Sequence, residues 1–175
     1  MADPAVLDDP SRSLEVRIPT ALEFYGCDLL FVHRDAEAVG LEARLQEIGE
    51  VVARCSAPPP VVCVVPVRMT EAWLLTDEAA IRRAAGNPNG TVPLSLPPTK
   101  QIESVPNPKN VLARAIQRAS GLSGRRLESL RRDSGRLVHR VAELHAGFAA
   151  LRALPAFASF EERLREILEE NGWTG

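Results

Sequence analysis

The stretch Cys27–His33, CDLLFVH, decides the fold. It is apolar apart from Asp28 and runs straight into charged residues, and a short apolar run of this kind fits a strand buried on both faces. A second run, VVCVVPV at 61–67, repeats the pattern. Its Pro66 has to stand near an end or on an edge, because a proline inside a paired strand removes a ladder bond. Between the runs, Leu41, Leu45, Ile48, Val51 and Val52 recur at helical spacing, with Glu42, Glu47 and Glu50 among them. That is an amphipathic helix, which Ala57 to Pro60 terminate. Strand, helix and strand at this spacing make a βαβ unit, whose two strands run parallel.

Working outward, residues 1–13 read as a disordered lead-in and 14–175 as a single domain, with 27–85 as a βαβα core. Residues 14–25 alternate weakly and fit a strand or a short helix. Residues 70–85 read as one helix, with Thr70 as N-cap and Trp73, Leu74, Ile81 and Ala85 as its apolar positions. Residues 86–108 hold six prolines and two glycines and read as a long loop, a class often functional or mobile. Gly86 and Gly90 in AGNPNG fit turns. The remainder, 109–171, reads as helices near 109–120, 123–152 (breakable at Ser134–Gly135) and 159–171, with Ser159 and Glu162 forming a capping box for the last. The expected fold class is α/β: a small parallel sheet flanked by helices, with a helical C-terminal half.

The chain has 175 residues, enough for one domain with a real core, and ordinary globular composition. Its net charge of −2 gives the whole molecule no strong attraction to nucleic acid, but the average conceals a division. Residues 111–140 carry eight arginines against Glu128 and Asp133, a local +6, which leaves −8 for the rest. Three cysteines, Cys27, Cys55 and Cys63, have no paired spacing, which argues against a disulfide framework or a zinc site. Cys27 and Cys63 read as plain buried residues. No stretch approaches the roughly 18 apolar residues of a membrane span. The start, MADPAVLDDPSRS, lacks the basic and apolar regions of a signal peptide, so a cytoplasmic location and no membrane partner are expected.

Open parallel sheets bind ligands beyond the carboxyl ends of their strands. Two segments fall there: His33-Arg34-Asp35-Ala36-Glu37 and Arg68-Met69-Thr70-Glu71. If the strands are neighbours, Asp35, Glu37 and Glu71 converge on one edge. Carboxylates that close repel one another unless a hard cation joins them, and Mg²⁺ or Mn²⁺ is the usual solution. Such an ion activates water and neutralises phosphate charge. The bland alternatives are a solvated loop for Asp35 and Glu37, and a first-turn acid complementing the helix dipole for Glu71. Arg125-Arg126 and Arg131-Arg132 lie about two helical turns apart, so parts of both pairs share a face that could follow a phosphate backbone. The alternative for them is a solvated helix face. His33 reads as a general base or a ligand, or as a residue that orients a neighbour or ends the strand. His139 and His145 lack the spacing of a helical metal pair.

The string VVPVRMTEAWLLTDEAAIRRAAGNP resembles the signature of a bacterial family catalogued as domain of unknown function 4276. The matching residues are Glu71-Ala72-Trp73-Leu74-Leu75 with Asp77, then Asn107-Pro108-Lys109 with Leu112, where Asn107 replaces the family's aspartate. The strand ending VHRDAE is similar to the family's upstream acidic strand end. The likeness covers roughly residues 27–171. It implies a Toprim-like fold, as in topoisomerases, primases and old-family nucleases, and Mg²⁺-dependent phosphodiester chemistry, often in bacterial defence. Asp35 and Glu37 correspond to the second Toprim motif, with a glutamate in place of one aspartate. The first Toprim motif, a glutamate followed by glycine after an opening strand, has no counterpart: Glu15 and Glu23 lack that context. Either an opening strand and helix precede Met1, or this member is not a competent nuclease.

Two classes of function follow. The first is a nuclease-related protein, with Asp35, Glu37 and Glu71 as the metal and catalytic set. Arg34, Arg68, Lys109, Arg125 and Arg126 would then contact phosphate. The second is a catalytically inert interaction module partnering another protein, such as an ATPase, through the proline-rich loop and exposed helices. A plain nucleic-acid binder is a third reading, and it predicts steep salt dependence.

Overall fold

The computed structural model describes residues 13–36 and 38–174. The chain divides into two compact units, Met1–Val65 with Ser159–Gly175, and Pro66–Ala158. In the first, β1 (Leu30–His33) and β2 (Val61–Val64) pair in parallel, Leu30 opposite Val61 and His33 opposite Val64. The connecting helix α2 (Leu41–Val52) completes the βαβ unit. The ambiguous segment before it is helical, α1 (Leu14–Phe24), although Pro19 lies inside it and removes an amide donor. Leu14 and Ile18, one helical turn apart, turn inward and join Val32, Ala36, Ile48, Val51 and Val65 in one apolar cluster.

The strands are not covered as expected. Val32 is buried, but Phe31 is 51% exposed and His33 is exposed, so β1 is buried on one face only. α1 and α2 supply that cover on the side of Val32. Leu30 and Arg34 donate their amides to the carbonyls of Pro60 and Val64, at 3.0 and 3.1 Å. In a parallel ladder this turns the backbone groups of Phe31 and His33 toward the outer edge. No described strand pairs with that edge. Pro66 lies beyond β2, where it interrupts no ladder bond. Cys27, expected inside, is exposed, because the chain from Tyr25 to Leu29 is irregular and β1 begins only at Leu30. Cys63 is half-buried, and burial pushes its thiol pKa up despite the charge of Arg163.

In the second unit, the helix expected over 70–85 is two helices, α3 (Thr70–Leu74) and α4 (Glu78–Ala84). The Thr76 hydroxyl donates back to the Trp73 carbonyl at 2.7 Å, and Asp77 accepts the Ala80 amide at 2.8 Å as the N-cap of α4. Side chains of this type compete with the helical ladder and restart it. Thr70 is the first residue of α3 and Met69 its N-cap, which corrects the expected cap.

The proline-rich segment is not loose. Leu94 and Ile102 are buried, and Thr99–Ser104 forms a 3₁₀ turn. Arg82 reaches it from α4, bonding Glu78 through two nitrogens and donating to the Val92 carbonyl at 2.8 Å. Asn87 ties it to the end of the next helix, donating its amide to the Ala119 carbonyl at 2.8 Å. A methyl group at Gly90 would stand 2.5 Å from that Asn87 nitrogen. Gly90→Ala is therefore expected to displace the amide and lose about 1 kcal/mol in urea unfolding. An unchanged midpoint would show that Asn87 does not hold the segment.

The helical region comprises α5 (Pro108–Ser120), α6 (Gly124–Arg132) and α7 (Ser134–Leu144), and a last helix, α8 (Pro155–Glu170), whose residues fall in both units. Asn107 caps α5 by accepting the Asn110 amide at 3.0 Å, with Pro108 at the first helical position. The helical stretch expected over 123–152, breakable at Ser134–Gly135, does break beside that point, at Asp133, and it ends earlier than expected, at Leu144. Pro155 opens α8, so Ser159 and Glu162 lie inside the helix and form no capping box at its start.

Candidate functional site

β1 delivers its last residues to the carboxyl end of the sheet. Beyond His33 the chain makes one more ladder bond, from the Arg34 amide to Val64. It then turns at Ala36, which is fully buried and whose carbonyl accepts the Val39 amide at 3.1 Å. Gly40, at φ 92°, begins α2 in a backbone region that favours glycine. His33 is exposed at the strand end, whereas Arg34 and Asp35 are half-buried.

His33, Arg34, Asp35 and Arg44 line a cavity of about 290 Å³. Asp35 Oδ1 lies 3.7 Å from His33 Nε2. Glu47 bridges the two guanidinium groups, 3.5 Å from Arg34 and 2.5 Å from Arg44. The Arg44 side chain is only 13% exposed, and its Nε is buried without a hydrogen-bond partner. Two guanidinium groups therefore border the cavity with the Asp35 carboxylate, and Glu47 is already paired with both of them. A phosphate entering this space would meet two guanidinium groups of the kind that bind it in bidentate fashion.

The structure brings Arg34 and Asp35 together and adds Arg44. Glu37 lies outside the described residues. The other expected residues belong to the second unit. Glu71 is half-buried in the first turn of the five-residue α3, with Arg68 half-buried just before it. Lys109 is exposed in the first turn of α5, and Arg125 and Arg126 are exposed on α6. Among the described residues, no three His, Cys, Asp or Glu side chains form a group that could hold a metal ion.

Arg44 was not legible as a site residue. It stands among glutamates on an amphipathic helix, which reads as solvated charge. The one sequence hint is its position three residues before Glu47, on a shared helix face.

The segment Glu71–Asp77 is largely structural. Ala72, Trp73, Leu74 and Leu75 are buried, and Trp73 meets the Phe157 ring edge-to-face at 5.3 Å. Asp77 accepts amides from Ala80 at 2.8 Å and Ala146 at 2.9 Å. Burial works to raise its pKa. The two amides, with His145 and Arg83, outweigh that and hold the carboxyl below the usual aspartate range. His145 sits at the end of α7, its Nε2 3.0 Å from the Thr76 hydroxyl, and His139 is exposed on that helix. No family model, curated protein or solved structure matches the chain. No described helix is long and apolar enough to cross a membrane.

Proposed function

We propose that this chain is a Toprim-like, nuclease-related protein that takes nucleic-acid phosphodiesters at the carboxyl end of β1. The observation that carries this reading is the cavity where Arg34, Arg44 and Asp35 meet beyond a parallel strand. Strand ends of this kind are where α/β sheets place their ligands. In this reading Asp35 and Glu37 would hold Mg²⁺ or Mn²⁺, an ion that would activate water and neutralise phosphate charge when bound. Arg34 and Arg44 orient the phosphate and exchange their contacts with Glu47 for contacts with it.

The expected result is calorimetric: Mg²⁺ or Mn²⁺ gives a saturable heat with the intact chain and none with the double variant Asp35→Ala, Glu37→Ala. Negligible heat in both would sink the metal site. The second reading is a catalytically inert module that binds a protein partner such as an ATPase. A stoichiometric partner from the native host, without cleavage of any nucleic acid, would support that reading instead.

A further inference from the structure

The second unit carries a surface with a different purpose. α6 buries none of its residues, and from Ser123 to Arg136 only Leu127 and Leu130 are even half-covered. Such a helix gains little from packing, so its charges decide what surroundings suit it. Arg131 pairs with Glu128 at 2.6 Å and Arg140 with Glu143 at 2.9 Å. Arg114, Arg118, Arg125, Arg126, Arg132 and Arg136 have no acidic partner among the described residues.

These arginines also crowd one another. Arg114 and Arg118 stand one turn apart on the exposed face of α5, and Arg136 and Arg140 repeat that spacing on α7. Like charges four residues apart on a helix destabilise it, although Glu143 offsets this at Arg140. Both pairs border a hollow. Arg114 and Arg118 line one of about 460 Å³ with Gln117 and Leu127. Arg136 and Arg140 line one of about 450 Å³ with His139, and there Asp133 and Glu143 supply two opposing carboxylates, so the α5 side carries more of the unbalanced charge. Arg131 Nε, 3.2 Å from Gln117 Oε1, fixes α6 against α5 between them in the chain. A local charge of +6 with unpaired guanidinium groups calls for a polyanion.

We infer that the exposed face of α5, α6 and α7 is a docking surface for duplex nucleic acid, bound through its phosphate backbone without regard to sequence. Residues 111–140 contain no Phe, Tyr or Trp. A single strand is normally held by bases stacked on aromatic rings, whereas a duplex turns its bases inward and presents phosphates. Guanidinium groups match phosphate in bidentate geometry. The inference names the substrate class for the reading above, yet it rests on residues of the second unit alone.

The test is fluorescence anisotropy of the full chain with a short, labelled DNA duplex of mixed sequence, across a salt series. Six phosphate contacts predict a log–log slope of about −5 and an affinity loss of about 10³-fold between about 50 and 200 mM salt. The double variant Arg114→Gln, Arg118→Gln is expected to reduce the slope by about two, with helical circular dichroism unchanged. The variant Asp35→Ala, Glu37→Ala is expected to keep the full slope, so failure of the metal site leaves the duplex surface standing. A slope shallower than about −2 overturns the inference, as does an unchanged slope in the arginine variant. Equal affinity for the separated single strand overturns the choice of duplex. Binding to polyglutamate in preference to DNA would assign the surface to an acidic protein instead.

Discussion

Trp73→Ala is expected to destabilise the second unit by about 3–5 kcal/mol, the usual cost of emptying a buried indole site. α3 has only five residues, too few to stand as an isolated helix, so its tertiary contacts must hold it. Trp73 supplies the largest of these. It is 7% exposed and meets Phe157 at an interplanar angle of 85°, and Phe157 stacks in turn on Phe148 at 5.9 Å. The edge-to-face arrangement adds about 0.5–1.5 kcal/mol beyond area burial. The indole Nε1 is buried without a hydrogen-bond partner, which costs part of that gain. Trp73→Phe, which keeps a ring and removes the orphan donor, is therefore expected to cost less than about 2 kcal/mol. Urea unfolding followed by circular dichroism separates the two. Equal losses in both variants would mean that shape, and not burial, dominates at this site.

Asp77→Ala is the second large change. It removes the cap of α4, worth about 1 kcal/mol, and a charge-assisted bond to the Ala146 amide, worth about 1.5 kcal/mol more. The total of about 2–3 kcal/mol should shrink to under about 1 for Asp77→Asn, which keeps an acceptor for the cap. The effect depends on pH in a definite direction. The folded carboxyl has a lowered pKa, so the contribution is complete above the unfolded value of about 4 and is lost as pH falls through the folded value. Stability of the parent chain should therefore fall in acid more steeply than that of Asp77→Ala. Parallel pH profiles for the two would refute the assignment.

Much of the first unit was readable in advance, and the reasons are physical. Buried strands and the apolar stripe of α2 leave periodic signals, and β1, α2 and β2 appear where those signals stand. The exposed Phe31 was not readable, because an apolar run looks the same whether one face is covered or two. α1 was undecidable because Pro19 weakens a helical pattern without cancelling it. In the second unit, Thr76 and Asp77 end one helix and begin another through side-chain bonds that periodicity does not register. Asn107 stood out in the sequence only as a replacement for an aspartate, and its role as the cap of α5 comes from the structure.

The candidate site shows the same division. Asp35 and Arg34 could be placed at a strand end because a parallel strand fixes where its carboxyl end lies. Arg44 reaches the same cavity through the turn at Ala36 and Gly40, a geometry that no spacing rule contains. The arginines of α5 to α7 were visible as composition. Which of them lack acidic neighbours depends on how the helices pack.

The outer edge of β1 has a practical consequence for work with this chain. A parallel pair with a strand edge that no described strand pairs with, and with Phe31 half-exposed on that strand, is a template for another extended chain. Neither proline nor lysine interrupts Leu30–His33, and those are the residues that usually guard such edges. Concentrated samples should therefore self-associate by strand addition at this edge before the helical unit is affected, and dilution is the simplest way to keep the first unit intact for ligand measurements.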